Sequence, residues 1–167
     1  GELGPSAFLL TGISAQSVRQ AEQQITEAAD AEADAVLVTT PTLLLRKDAT
    51  LVESFYRQVA ERSPLPVFCY SVPAVTGYEL PVDSAVAICA HPNVFGMKDS
   101  GGDPDRIGPV LEGIDDGNYF FVGASRIILE AFARGAYGSI TASGNYAPEL
   151  AAAAREDTEA QDRLSSV

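Results

Sequence analysis

Lysine is scarce in this 167-residue chain, two against nine arginines, and one of the two, Lys98, closes the apolar run Val94-Phe95-Gly96-Met97. Desolvation at the rim of a buried strand disfavours the ammonium form of a lysine and frees its amine as a nucleophile. A lysine there can also snorkel, laying its stem on apolar surface and its head in water. Gly101 and Gly102 follow, so the chain turns away and leaves space above the amine. Tyr70 closes a second apolar run, Val67-Phe68-Cys69. A phenol at a strand end relays protons to a substrate held above it, or caps the core with its hydroxyl in water. Because the two residues end successive apolar runs, a parallel sheet can turn them toward one cavity, and the pair carries more weight than either alone.

Other reactive types are less promising. His91 is the only histidine and lies in Ala90-His91-Pro92, a loop before a strand, so a histidine-based metal site or catalytic pair is not expected. Cys69 falls within an apolar run and Cys89 within a helical stretch, with no metal-ligand spacing between them. The acidic pairs Asp103/Asp105 and Asp115-Asp116 sit in turns, where solvated caps are the usual role. No glycine-rich phosphate fingerprint is present. Gly123-Ala124-Ser125, opening a helix, is a weak anion-site signal.

The elements that must position Tyr70 and Lys98 follow a simple rhythm. Short apolar runs recur at Ala7–Leu10, Ala35–Val38, Pro66–Tyr70, Asn93–Met97, Tyr119–Val122 and Tyr137–Ile140. Most are continuous rather than alternating, as in parallel strands covered on both faces. Between them lie helical patterns: Val18, Ala21, Ile25 and Ala28 behind a Ser17/Gln20 capping box, then Leu51, Val52, Phe55 and Val59 behind Asp48. Asp103-Pro104 reads as an N-cap and first-turn proline, and Gly135 as the residue past a helix end. The last stretch, Ala151 to Val167, reads as a helix that frays into an unstructured end. Six β-α units of about 25–30 residues imply a parallel sheet. A closed (β/α)8 barrel takes about 250 residues, so six units make either three quarters of a barrel or a complete open sheet. Periodicity leaves both open. In either, chemistry belongs at the carboxyl ends of the strands.

Composition narrows the function classes. Hydrophobic residues make up 46% of the chain, enough for one globular core. Asp and Glu number 23 against 11 Lys and Arg, a formal charge of −12, which argues against nucleic acid or an anionic membrane as partner. No apolar run is long enough to span a bilayer. With no secretory pattern at the start and two cysteines read as reduced thiols, the expected compartment is the cytoplasm.

At Tyr70-Ser71-Val72-Pro73-Ala74-Val75-Thr76-Gly77 and Pro92-Asn93-Val94-Phe95-Gly96-Met97-Lys98-Asp99-Ser100-Gly101-Gly102-Asp103 the chain resembles the dihydrodipicolinate synthase/N-acetylneuraminate lyase family, and within it most resembles 4-hydroxy-2-oxoglutarate aldolases. The likeness extends to Ala33–Val38 and Gly138–Thr141. It implies a TIM barrel, here a single incomplete domain over residues 1–167 holding strands 3 to 8 of the family fold. It also implies a class I (Schiff-base) aldolase or lyase acting on a 2-oxo acid without a cofactor, with a homotetrameric full-length parent. Lys98 matches the lysine that forms the iminium, and Tyr70 the tyrosine that shuttles protons. Ile140 matches a position whose main-chain carbonyl lies near that tyrosine.

Three departures qualify the match. The family's Gly-Thr-Thr-Gly-Glu-type loop, which binds the substrate carboxylate, has no counterpart; Thr39-Thr40 falls at the fourth-strand position. The chain is therefore expected to start just before the third family strand, to lack most of the C-terminal helical extension, and to be inactive as 167 residues alone. The aromatic pair that usually follows the fourth-strand Thr-Pro is Thr42-Leu43, with Thr42 a partial substitute for a relay tyrosine. Dihydrodipicolinate synthases carry an arginine where this chain has Val75, which favours the aldolase. Arg126, opening the helix after Gly123-Ala124-Ser125, is expected either to pair with a second substrate carboxylate or to be a solvated first-turn residue. Two non-enzymatic readings remain beside these: an open sheet that binds a small anion, and a barrel segment whose exposed edges associate.

Overall fold

The computed structural model describes residues 7–41 and 48–166. Six strands, β1 (Leu10–Ile13), β2 (Ala35–Thr39), β3 (Val67–Ser71), β4 (Val94–Asp99), β5 (Tyr119–Val122) and β6 (Gly138–Ser139), form one parallel sheet in strict chain order. The helices are α1 (Val18–Asp30), α2 (Ala49–Arg62), α3 (Pro73–Thr76), α4 (Val82–Cys89), α5 (Ile107–Gly113), α6 (Ile128–Ala133), α7 (Pro148–Ala153) and α8 (Thr158–Ser165). A doubly wound sheet reverses its strand order at a switch point. Here the order never reverses and the helices cover one face, so the sheet is a partial (β/α)8 barrel, and the choice left open by periodicity falls to the barrel.

Two hydrophobic clusters show the asymmetry of the faces. The larger joins Val36, Val38, Val67, Cys69, Met97 and Val122 of the strands to helix residues such as Ile25, Phe55, Val59, Ile88, Ile107 and Ile128. The smaller holds only strand residues, Ala35, Leu37 and Phe68, with Leu10, Tyr70 and Phe121 packed against it, on the concave side that a barrel encloses. Phe68 meets Phe121 edge-on at 5.8 Å, and Tyr119 and Tyr137 continue this aromatic surface at 4.5 Å between centroids. No helix among the described residues is long and apolar enough to cross a membrane.

The local signals mostly act as read. Ser17 accepts from Gln20 N and Asp48 from Leu51 N, capping α1 and α2. The Gln20 amide oxygen, however, accepts from Gln16 N, so the capping box closes one residue upstream. Asp103 accepts from Asp105 N and starts a single 3-10 turn, Pro104–Arg106, that runs into α5. Gly135 takes the positive φ of +102° expected just past α6.

Two expectations need correction. The first strand is Leu10–Ile13 rather than Ala7–Leu10, so Thr11 and Gly12 lie within it. The cause is Asp34, whose carboxylate accepts from Leu9 N while its own N–H donates to Leu9 O, so that pairing with β2 starts only at Leu10. The stretch from Ala151 is not one fraying helix either: α7 ends at Ala153 and a second helix, α8, follows it. Asp157 caps α8 by accepting from Glu159 N and Ala160 N. Buried Gln161 then accepts from Leu129 N and donates to Ser125 O, while Leu164 enters the main core. That buried amide docks α8 on α6, a tertiary contact invisible to local pattern.

Candidate active site

Successive residues of a strand point to opposite faces. If β4 kept regular alternation, Lys98 would share a face with Val94, which is buried under the helices. It does not, because β4 carries a bulge. Val67 pairs with Val94 but Phe68 pairs with Gly96, which leaves Phe95 as the extra residue. Gly96 adopts φ +142°, and a Cβ there would run into the Tyr119 backbone carbonyl. Such bulges re-aim side chains. Beyond this one Met97 and Asp99 turn toward the helices, and Lys98 turns to the concave face opposite Tyr70.

The two half-buried side chains meet there. Lys98 Nζ stands 4.2 Å from the Tyr70 ring centroid, within the range at which an aromatic face attracts a cation. The Tyr70 hydroxyl lies 3.2 Å from Ser100 Oγ. Gly123, next to Val122 on β5, leaves room for both: a Cβ there would strike Ser100 Oγ and come within 2.8 Å of Lys98 Cε. An amine, a phenol and a second hydroxyl thus converge at the carboxyl end of β3 and β4. This set can add to a carbonyl and move protons around it.

The remaining expected residues are placed as follows. Ile140 stands one position past β6, its N–H donating to Val122 O, at the same rim. Arg126 lies in the 3-10 turn before α6 and donates through Nη2 to Gly101 O (3.2 Å) and Gly102 O (2.9 Å). Its guanidinium packs against Gly102, at φ +75°. Val75, in α3, is 77% exposed. Thr42 lies outside the described residues. His91 accepts from Asn93 N through Nδ1 in the turn before β4.

Cys69 and Cys89 are free and buried, and the Cys69 thiol is pushed well above the usual thiol range, first by its hydrogen bond with Cys89 and then by burial. Among the described residues no group of three or more His, Cys, Asp or Glu could hold a metal ion. A groove between α2 and α4, lined by Leu51, Glu53, Arg57 and His91 among others, shares no residue with the Tyr70–Lys98 site.

Residue-type reasoning gave no role to Ser100 or Gly96 and read Gly123 only as part of a weak anion signal. The lone glycine inside an apolar run was the available signal, since glycine within a strand marks a bulge or a close approach.

Comparison with known proteins agrees with this architecture. Residues 2–164 match the model of the Dihydrodipicolinate synthetase family. The 4-hydroxy-tetrahydrodipicolinate synthase of Natronomonas pharaonis is 33% identical over 142 residues, covering 84% of this chain and 48% of that protein. 4-hydroxy-tetrahydrodipicolinate synthase 1 of Streptomyces coelicolor is 31% identical over 160 residues, 96% of this chain and 52% of its own. The chain thus spans about half the length of the curated relatives it matches. Among solved structures, a putative dihydrodipicolinate synthase from Thermus thermophilus superposes with TM-score 0.82 at 33% identity, over 97% of this chain and 56% of that one. The chloride-inhibited dihydrodipicolinate synthase of Acinetobacter baumannii, complexed with pyruvate, superposes with TM-score 0.85 at 29% identity, over 97% and 57%. Sequence and fold agree over nearly the whole chain, which belongs to the dihydrodipicolinate synthetase family.

Proposed function

We propose that this protein is a class I, Schiff-base aldolase of 2-oxo acids, cleaving or forming the bond between pyruvate and an aldehyde, with 4-hydroxy-2-oxoglutarate, glyoxylate and pyruvate as the reacting set. The observation that carries this reading is the Lys98 amine 4.2 Å from the Tyr70 ring at one strand-end rim. Lys98 Nζ adds to the C2 carbonyl to give a carbinolamine, and loss of water, with a proton delivered by Tyr70, leaves the iminium. In the cleavage direction Tyr70 takes the proton of the C4 hydroxyl and the C3–C4 bond breaks. Its electron pair passes to the iminium nitrogen as an enamine while the aldehyde departs. Protonation at C3 and hydrolysis release pyruvate and restore the amine. We assign the Ile140 carbonyl to orienting the Tyr70 hydroxyl, and Arg126 to the far carboxylate.

Incubating the whole protein with pyruvate and borohydride, then mapping peptides, tests this directly: one reduced pyruvate is expected on Lys98, and none there would overturn it. Tyr70→Phe preserves the ring under the amine but removes the proton carrier. Adduct formation is expected to slow about a hundredfold, the lower range for loss of a general acid–base group. Arg126→Ala is expected to raise KM for a dicarboxylic 2-oxo acid about fivefold, the scale of an exposed ion pair, and to leave KM for pyruvate alone unchanged.

The relatives' names favour a second reading, condensation of pyruvate by a dihydrodipicolinate-type synthase. Val75, at the position of the synthase arginine, weighs against it. Comparing turnover of the two substrate pairs separates them.

A further inference from the structure

The residues just after Tyr70 and Lys98, Ser71 and Asp99, are register partners on the helix side of the sheet. Both are buried, and they belong to one circuit of hydrogen bonds. Ser71 Oγ accepts from Leu80 N (3.4 Å), and Leu80 O accepts from Arg106 Nη2. Arg106 Nε donates to Asp99 Oδ2 at 3.2 Å, and Asp99 Oδ1 accepts from Gly101 N at 2.7 Å. Ser100 N donates to Ser71 O at 2.9 Å, closing the circuit. Asp99 O, in addition, takes Gly123 N at 2.7 Å. The ion pair within this circuit is nearly dry, the two side chains being 12% and 7% exposed, with Glu79 a further 3.7 Å from Arg106 at the edge.

A carboxylate buried in this way needs its cation and its donors. Here each partner belongs to a different segment: the loop after Lys98, the turn before α5, and the stretch between α3 and α4. Their common product is the path of residues 99–101, which puts Ser100 on the Tyr70 hydroxyl and sets where β4 ends. We propose that the Asp99–Arg106 pair is a positioning clamp for the imine-forming lysine, fixing from behind the sheet how Lys98 stands against Tyr70 and Ser100. The proposal rests on the aldolase reading. Asp99 acts through its chain neighbours Lys98 and Ser100, and Arg106 acts through Asp99.

The clamp separates rate from binding. Arg106→Lys keeps a charge but has no fork to reach Asp99 and Leu80 O together, and Asp99→Asn keeps an acceptor for Gly101 N without the charge. In both, the rate of borohydride-trapped adduct formation at saturating pyruvate is expected to fall about tenfold or more, as misplacement of reacting groups by ~1 Å does. The pyruvate concentration for half-maximal rate is expected to stay within about twofold. Should the single variants fail to fold, the double variant Asp99→Leu/Arg106→Met decides, since an apolar pair can replace a buried ion pair without loss of stability; it is expected to show the same fall in rate. A folded variant that keeps the parent's saturating rate overturns the clamp, and so does a change confined to half-saturation, which would make these residues substrate contacts. Absence of an adduct on the parent protein is the separate failure of the aldolase reading, and the clamp falls with it.

Discussion

Lys98→Ala is expected to abolish the borohydride-trapped pyruvate adduct and to lower turnover by about a thousandfold or more, the scale on which loss of a covalent nucleophile is felt. The fold should survive, because Lys98 is only half-buried and Met97 and Asp99 keep their places in the strand. Its thermal midpoint should therefore stay close to the parent's. Lys98→Arg sharpens the test. A guanidinium can still lie over the Tyr70 ring, yet it stays protonated and forms no imine. If the role of Lys98 were to hold a cation on that ring, arginine would retain activity; the Schiff-base role demands that it be as inactive as alanine. An adduct of equal yield on either variant would show that the reactive amine lies elsewhere.

Gly96→Ala is expected to be the most damaging small substitution for stability. At φ +142° an alanine is strained by about 1–3 kcal/mol. Its Cβ would also drive into the Tyr119 carbonyl, a backbone atom with nowhere to rotate. Together these cost about 3 kcal/mol or more, which for a chain of this size lowers the thermal midpoint by about 6–12 °C. The adduct on Lys98 should also diminish, since relaxing the bulge restores regular alternation and swings Lys98 toward the helices. Gly108→Ala is the matched control. It lies in α5 with no atom within 4 Å of an added Cβ, so the same chemical change should leave stability unchanged or raise it by up to about 1 kcal/mol. Equal melting of Gly96→Ala and Gly108→Ala would show that the bulge is not under this constraint.

These two residues show why the site was only partly legible in advance. Lys98 stood out by scarcity and by its place after an apolar run, and Tyr70 by the same position one unit earlier. Whether both faced one side depended on the phase of β4, and a single inserted residue reverses that phase. Nothing in the alternation of Val94-Phe95-Gly96-Met97 reveals it; the glycine hints at it, and the pairing with β3 settles it. Asp99 and Arg106 were less visible still. They are seven residues apart in sequence, and they meet only because the turn before α5 folds back over β4. Arg126 stood out only as the residue opening a helix, and its hold on the Gly101 and Gly102 carbonyls comes from a loop 24 residues earlier in sequence.

The linear order of residues determined on its own the alternation of strand and helix, though not the bounds of every element, since apolar runs and helical spacing are short-range properties of the chain. It also singled out Lys98 and Tyr70 as candidates, and the family, through the wording around them. Tertiary structure alone decided that the strands follow one another without reversal into part of a barrel, that Lys98 faces Tyr70, and that α8 docks through Gln161 instead of fraying. The physical reason is one of range. Periodicity reports what a residue's neighbours along the chain require, whereas register, bulges and buried ion pairs depend on atoms tens of residues away, whose satisfaction overrides local preference.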